Sequence, residues 1–298
     1  MRGPLVMDIP TKKTPFVWQP LTPRGVGDFA RASLSRLLLV QLVVAMWAAV
    51  VVVWFLNSAW FPAIGEAIHH LPPTGEIRAG SLNWDGDSPL TLADGRFLAF
   101  TVDLKHEGGV RSPAHVQVEF GKTDFQVFSL FGFASGEYLA ERMPFNRPEL
   151  EPWWGAWVEA ILGIVALAVM GGLFVCWMAL ATVYAVPAWL LAFFADRQLN
   201  LRGSWKLAGA ALMPGALVMT VGIIFYGLGV LDLVQLVVWG AAHFVVAWVY
   251  LVVSALSLPR RPELVAARSN PFDGPATEPA KAVIAAPSAK NDPPLLNG

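Results

Sequence analysis

The order of apolar and polar positions divides the chain into stretches of two kinds. Residues 37–56 read LLLVQLVVAMWAAVVVVWFL, with Gln41 the one clearly polar member. Twenty helical residues span roughly 30 Å, the hydrocarbon thickness of a bilayer. A first spanning helix is therefore expected over 37–61. Thirteen of those twenty residues are Leu, Val or Phe, and their insertion terms sum to roughly −4 to −8 kcal/mol. The run starts after 36 residues and exceeds the core of a signal peptide, so it reads as an uncleaved anchor. Residues 160–195 form a second run, which as one helix would extend roughly 54 Å. Pro187 interrupts it. Two readings follow: one span over 153–186 with a broken interfacial segment at 187–194, or a hairpin of two short spans. Residues 207–230 and 233–258 give a third and a fourth span, joined so closely that they must form an antiparallel hairpin.

Between the first and second runs, residues 62–152 change to alternation. Segments 76–84 (EIRAGSLNW), 97–104 (FLAFTVDL), 115–120 (HVQVEF) and 125–131 (FQVFSLF) have the period of two expected of strands. Turn residues separate them at Asp85-Gly86-Asp87, Asp94-Gly95 and Glu107-Gly108-Gly109. Residues 136–147 (GEYLAERMPFNR) read as a short amphipathic helix leading back to the apolar part. The fold class is a membrane α+β protein: four transmembrane helices with a small antiparallel β domain inserted between the first and second spans. Residues 28–36 (DFARASLSR) suggest a short interfacial helix capped by Asp28, within a basic segment 1–36. The loop 187–206 is interfacial to cytoplasmic. The tail 259–298, rich in Pro, Ala, Asn and Ser, is expected to be disordered.

Composition agrees and narrows the class. Hydrophobic residues are 55% of the chain and charged residues 14%, against about 25% charged in soluble domains. A soluble globule and a wholly disordered chain are both excluded. Lys and Arg number 21 against 22 Asp and Glu, which gives no basic excess for nucleic acid. The single cysteine, Cys176, allows no internal disulfide. The net charge of −1 conceals a partition: +7 over the segments assigned inside, −6 over 57–156, and −2 from Glu159 and Asp232. That asymmetry orients both termini to the cytoplasm. Aromatic residues agree: Trp54, Trp60, Phe61, Trp153, Trp154 and Trp157 gather at the outer level, and Phe16, Trp18 and Trp205 at the inner one.

Candidate chemistry is sparse. Glu66, His69 and His70 share a helical face and are weak candidates for a metal, with no third or fourth ligand evident elsewhere. His243 is the ionisable residue within a span, and Glu159 and Asp232 are its candidate partners. Pro214 should kink the third span, while Ala211 and Gly215, and separately Gly240, Ala241 and Ala242, offer small packing faces. No nucleotide, metalloprotease, hydrolase or kinase motif occurs, so no catalytic or cofactor-binding residue is expected.

The order of a basic amphipathic segment, one span, a GEIRAGSL strand, a VDL and VQVEF strand pair, and a GSWKLAGAALMPGALV entry into a later span resembles a family of bacterial polytopic membrane proteins. That family has no assigned activity, and some of its members are labelled maltodextrin-utilisation proteins. The resemblance covers roughly residues 15–257 and implies a multi-pass protein of the bacterial inner membrane. It supplies no site residues. The leading expectation is a non-enzymatic envelope or interaction module, embedded in the lipid bilayer, whose β domain meets an extracytoplasmic protein partner. The alternative is a transport or permease-associated component using His243 and the Pro214 hairpin. A membrane-embedded enzyme ranks third.

Overall fold

A computed structural model describes residues 20–261. A first compact unit ends at Pro259, and the fold below is that of this unit. Residues 1–19, with Phe16 and Trp18, and the tail from 262 lie outside the described residues.

Helix α1 (Pro23–Asp28) starts where Thr22 accepts the Gly25 N–H at 3.1 Å. Pro23 supplies the preset φ of a first helical position. Asp28 therefore ends this helix and does not cap the one expected over 28–36. Helix α2 (Leu34–Phe55) continues through a wide π turn, Leu56–Trp60, into α3 (Phe61–His69). Pro62 has no N–H for the carbonyl four residues back, which accounts for the wide turn. The first apolar helix thus extends to His69, beyond the expected end at 61.

Helix α4 (Arg147–Phe194) is a single element of 48 residues, capped by Asn146, which accepts the Glu149 N–H at 3.1 Å. Neither the hairpin nor a break at Pro187 forms. The surrounding packing holds the helix through the one hydrogen bond Pro187 forfeits: Ala181, Ala185, Ala188 and Ala192 make a buried seam of small residues on both sides of it. Residues 187–194 are accordingly helix, and the connecting loop shrinks to a few residues before α5 (Leu201–Gly227). Asn200 caps α5 by accepting the Gly203 N–H at 2.7 Å, six residues ahead of the expected start. Helix α6 (Leu233–Ser257) opens with a reciprocal capping box between Asp232 and Gln235.

All four long helices are long and apolar enough to cross a membrane. Helix α5 is central, touching α2, α4 and α6, and is buried from Leu207 through Gly215. Gly215 meets α6 closely: a Cβ there would lie 2.6 Å from the His243 carbonyl oxygen and 3.3 Å from the Ala247 Cβ. The expected Ala211/Gly215 face is thus a helix contact, whereas Gly240 faces open space. Helix α5 runs continuously through Pro214. Large apolar side chains such as Leu39, Trp47, Leu167, Val175 and Val245 remain exposed on the outer faces.

The inserted domain has two sheets. Strands β1 (Gly75–Arg78) and β2 (Ser81–Trp84) form a hairpin turned at Ala79 and Gly80, with φ of 49° and 74°. Segment 76–84 is therefore two strands. Strand β8 (Arg142–Pro144) pairs with β1 to complete an antiparallel sheet in the order β2-β1-β8. The larger sheet has the order β3-β4-β5-β6-β7, with β3 (Leu90–Asp94), β4 (Leu98–Val102), β5 (Val116–Phe120), β6 (Asp124–Ser129) and β7 (Gly132–Glu137). Its β4–β5 pair is parallel, so the sheet is mixed, contrary to the antiparallel expectation. A 13-residue crossover, 103–115, replaces a tight turn between them and permits that direction. The helix expected over 136–147 is absent; β7 and β8 occupy it, because β6 offers a free edge to the chain returning at Gly132. Helix α3 packs its Ala67, with Leu71 just beyond it, against Ile77, Leu82, Leu92 and Val102 in a second core.

Candidate functional site

Strand β5 alternates as expected, but both of its faces are covered. Val116, Val118 and Phe120 are half-buried, while Gln117 and Glu119 are fully buried beneath the 103–115 crossover. Buried polar groups demand partners, and every side-chain polar atom of these two residues has a hydrogen bond except the second oxygen of Glu119. Gln117 Nε2 donates to Thr101 Oγ1 and to the Val110 carbonyl, both at 3.1 Å, and its Oε1 accepts the Ser112 N–H at 3.0 Å. Asp103 closes the start of the crossover, its carboxylate accepting the Lys105 and Gly108 N–H groups at 3.2 and 3.0 Å.

This loop carries His106 into a clamp. His106 Nδ1 lies 2.6 Å from Glu119 Oε1, and Nε2 lies 3.1 Å from Asp124 Oδ1. Ionised carboxylates only accept, so pairing at both ring nitrogens requires the imidazolium. Burial works against that charge, but hydrogen bonds and attraction from Glu119 and Asp124 outweigh it and hold the pKa above the ordinary 6.5. The second Glu119 oxygen has the Arg111 guanidinium at 3.6 Å, which itself stands 4.0 Å from the centre of the Phe128 ring. His106 adopts a φ of 54°, a conformation that costs a side-chain-bearing residue about 1–2 kcal/mol. The clamp offsets this cost. Chemically it is a proton-dependent fastening of the crossover onto the sheet.

A second cluster joins sheet and helices. Phe97 lies 5.4 Å from Phe55 of α2 and 5.0 Å from Tyr226 of α5, ring centre to ring centre. The Tyr226 hydroxyl is 2.6 Å from His115 Nδ1. Arg96 donates to the Gly229 carbonyl at 3.3 and 3.4 Å, at a turn where φ is 77° and a Cβ would strike the guanidinium. Burial lowers the His115 pKa, the Arg96 charge adds to that, and Asp232 partly opposes it. His115 is accordingly neutral and suited to a hydrogen bond with a phenol.

Above the α3 end lies an open polar cleft of about 540 Å³, lined by Thr74, Glu76, Asp85, Arg142, Asn146 and Glu149 among others. Arg142 donates to Glu76 at 3.1 Å, and Thr74 to Asp85 at 2.7 Å.

The residues singled out in the sequence are not brought together. His69 bonds Glu151 at 3.2 Å, His70 bonds the Leu92 carbonyl at 2.8 Å, and Glu66 is exposed. Among the described residues no group of three His, Cys, Asp or Glu is disposed to hold a metal ion. His243 Nδ1 bonds the Gly240 carbonyl one turn back in its own helix. Asp232 is engaged in its cap, and Glu159 is exposed on α4, so neither partners His243. Cys176 is exposed on α4. The residues that sequence reasoning missed are Gln117 and Glu119, which an alternating pattern assigns to solvent. The length of the crossover was the available signal that something covers them.

Comparison with family models, curated proteins and solved structures finds no match.

Proposed function

We propose that the protein is a multi-pass protein of the bacterial inner membrane, both termini cytoplasmic, whose four spans hold an extracytoplasmic β domain in a fixed pose for a protein partner. The family resemblance belongs to this proposal and adds no residues to it. The observation that carries it is the polar cleft and its position. The cleft opens next to the α3 end, and the fourteen residues that follow Phe55, up to His69, raise it about 21 Å above the aromatic joint. Helix α4, about 72 Å long, exceeds the 40–45 Å of a bilayer with its headgroups. Its charged first turns, with Arg147, Glu149 and Glu151, belong to the domain. An unsupported cleft would move on a tether; this one is braced by two continuous helices, by Phe97 and by Arg96.

Three polar groups on the apolar helices favour this reading over a solute path. Thr182 donates to the Met178 carbonyl and Thr220 to the Ala216 carbonyl, each at 2.8 Å, and His243 likewise stays within its own helix. These three groups are engaged within their own helices, whereas a path through a membrane is marked by ionisable side chains facing the interior. The test has two arms. Reporter fusions after residues 110, 200 and 290 should report outside, inside and inside; outside signals at 200 and 290 would sink the topology. A photo-crosslinker at Asn83, on the cleft rim, should yield one discrete adduct in cells that is lost in Arg142→Glu. Absence of any discrete adduct refutes the partner.

A further inference from the structure

Strand register shows where the β6–β7 turn lies. Leu98, Val116, Ser129 and Gly132 stand in one row across β4, β5, β6 and β7. The next residues towards the helices are Phe97, His115, Leu130 and Phe131. The first two of these touch Phe55 and Tyr226. The turn therefore lies at the helix-facing end of the sheet, two to three strands to the side of the joint. Sheet twist of about 20–25° per strand tilts this row without moving it to the other end.

The turn is also apolar and uncovered. Residues 125–136 contain four Phe and no charged side chain. Leu130 is 51% exposed, Phe131 81% and Phe133 68%, on an edge strand with no further neighbour in the sheet. Exposed aromatic residues grouped like this mark a contact surface. The same register sets them level with the Arg96–Phe97 segment, which meets the α5–α6 turn at Gly229. Arg111 lies 4.0 Å over the Phe128 ring, one residue before Ser129 on the same strand.

We infer that the β6–β7 turn dips into the lipid beside the helices, placing Leu130, Phe131 and Phe133 at the boundary between headgroups and acyl chains. Three large apolar side chains there would anchor the free edge of the sheet, as aromatic residues do at membrane interfaces. The joint at Phe97 and this turn would then hold the domain at two points. The inference rests on the membrane reading above, and its test separates the two. The full chain with Cys176→Ser receives one cysteine at 130, 131, 139 or 175, labelled with an environment-sensitive dye. Each protein is reconstituted into phosphatidylcholine and phosphatidylglycerol vesicles containing lipids with shallow or deep nitroxides. Leu139, 96% exposed and following β7 at the far end of the sheet, is the negative control; Val175, exposed midway along α4, is the positive one. Labels at 130 and 131 should lose about half their emission to shallow nitroxides, while the label at 139 keeps its own. Unquenched 130 and 131 with a quenched 175 overturns the inference and leaves the spans standing. An unquenched 175 overturns both. Shielding at 131 that follows protein density and ignores nitroxide lipid assigns the turn to a second copy and also overturns the inference.

Discussion

Replacing Gly215 by alanine tests the α5–α6 contact with a control built into the same hairpin. The added Cβ would stand 2.6 Å from the His243 carbonyl oxygen, about 0.8 Å inside ordinary contact. That oxygen belongs to helix backbone and cannot rotate away, so α6 must retreat or the helices must shear. Overpacking of this kind costs about 1–3 kcal/mol. Alanine also gains up to about 1 kcal/mol of helix propensity over glycine, which would blur the result taken alone. Gly240→Ala removes the ambiguity: it gains the same propensity in the adjoining helix, and its Cβ would meet nothing within 4 Å. The difference between the two variants therefore isolates the overpacking, about 1–3 kcal/mol against Gly215→Ala. The assay is unfolding of the full chain in detergent micelles by added dodecyl sulfate, followed by circular dichroism, with the midpoints compared. Equal midpoints, or a more resistant Gly215→Ala protein, would refute the close crossing at His243.

The remaining predictions concern the β domain. Because the folded state raises the His106 pKa, its contribution is fully present below the unfolded value near 6.5 and disappears as pH rises through the folded one. Melting of the wild-type chain relative to His106→Gln should show an advantage at about pH 5.5 that shrinks by about pH 8; a constant difference would sink the clamp as a titrating element. At the joint, Tyr226→Phe removes the hydroxyl 2.6 Å from His115 and keeps the ring stacking. It should cost about 0.5–1.5 kcal/mol and raise hydrogen exchange at the α5–α6 turn, whereas unchanged protection there would show that the bond does not couple the domain to the helices.

Much of the architecture was legible in the sequence because its signals are local. Four runs of apolar residues announced four long helices, and the alternation in 97–104, 115–120 and 125–131 marked β4, β5 and β6 within a residue or two. The apolar run 233–258 marked α6 at both ends, although the capping role of Asp232 was not read from it. The failures share a cause. Pro187 and the segment 136–147 were judged by local preference and pattern, and tertiary packing overrode both: an alanine seam holds α4 together, and the β6 edge captures β7. Strand direction was equally invisible, since a parallel and an antiparallel β5 have the same alternation. The candidate residues fared worst. Glu66, His69 and His70 share a helical face, but that spacing does not reveal that Glu151 and the Leu92 carbonyl are nearer partners.

By itself, the sequence determined that this chain forms four long apolar helices with a strand-rich insert, because apolar periodicity acts over a few turns and needs no partner to be read. Only the tertiary structure decided what the polar groups do. Glu119 meets His106 because a long crossover folds back over β5, and Phe97 meets Tyr226 across more than a hundred residues of chain. Burial under a distant segment converts a solvent-facing side chain into half of a clamp. That energy is set by where the chain returns, a quantity no local pattern encodes.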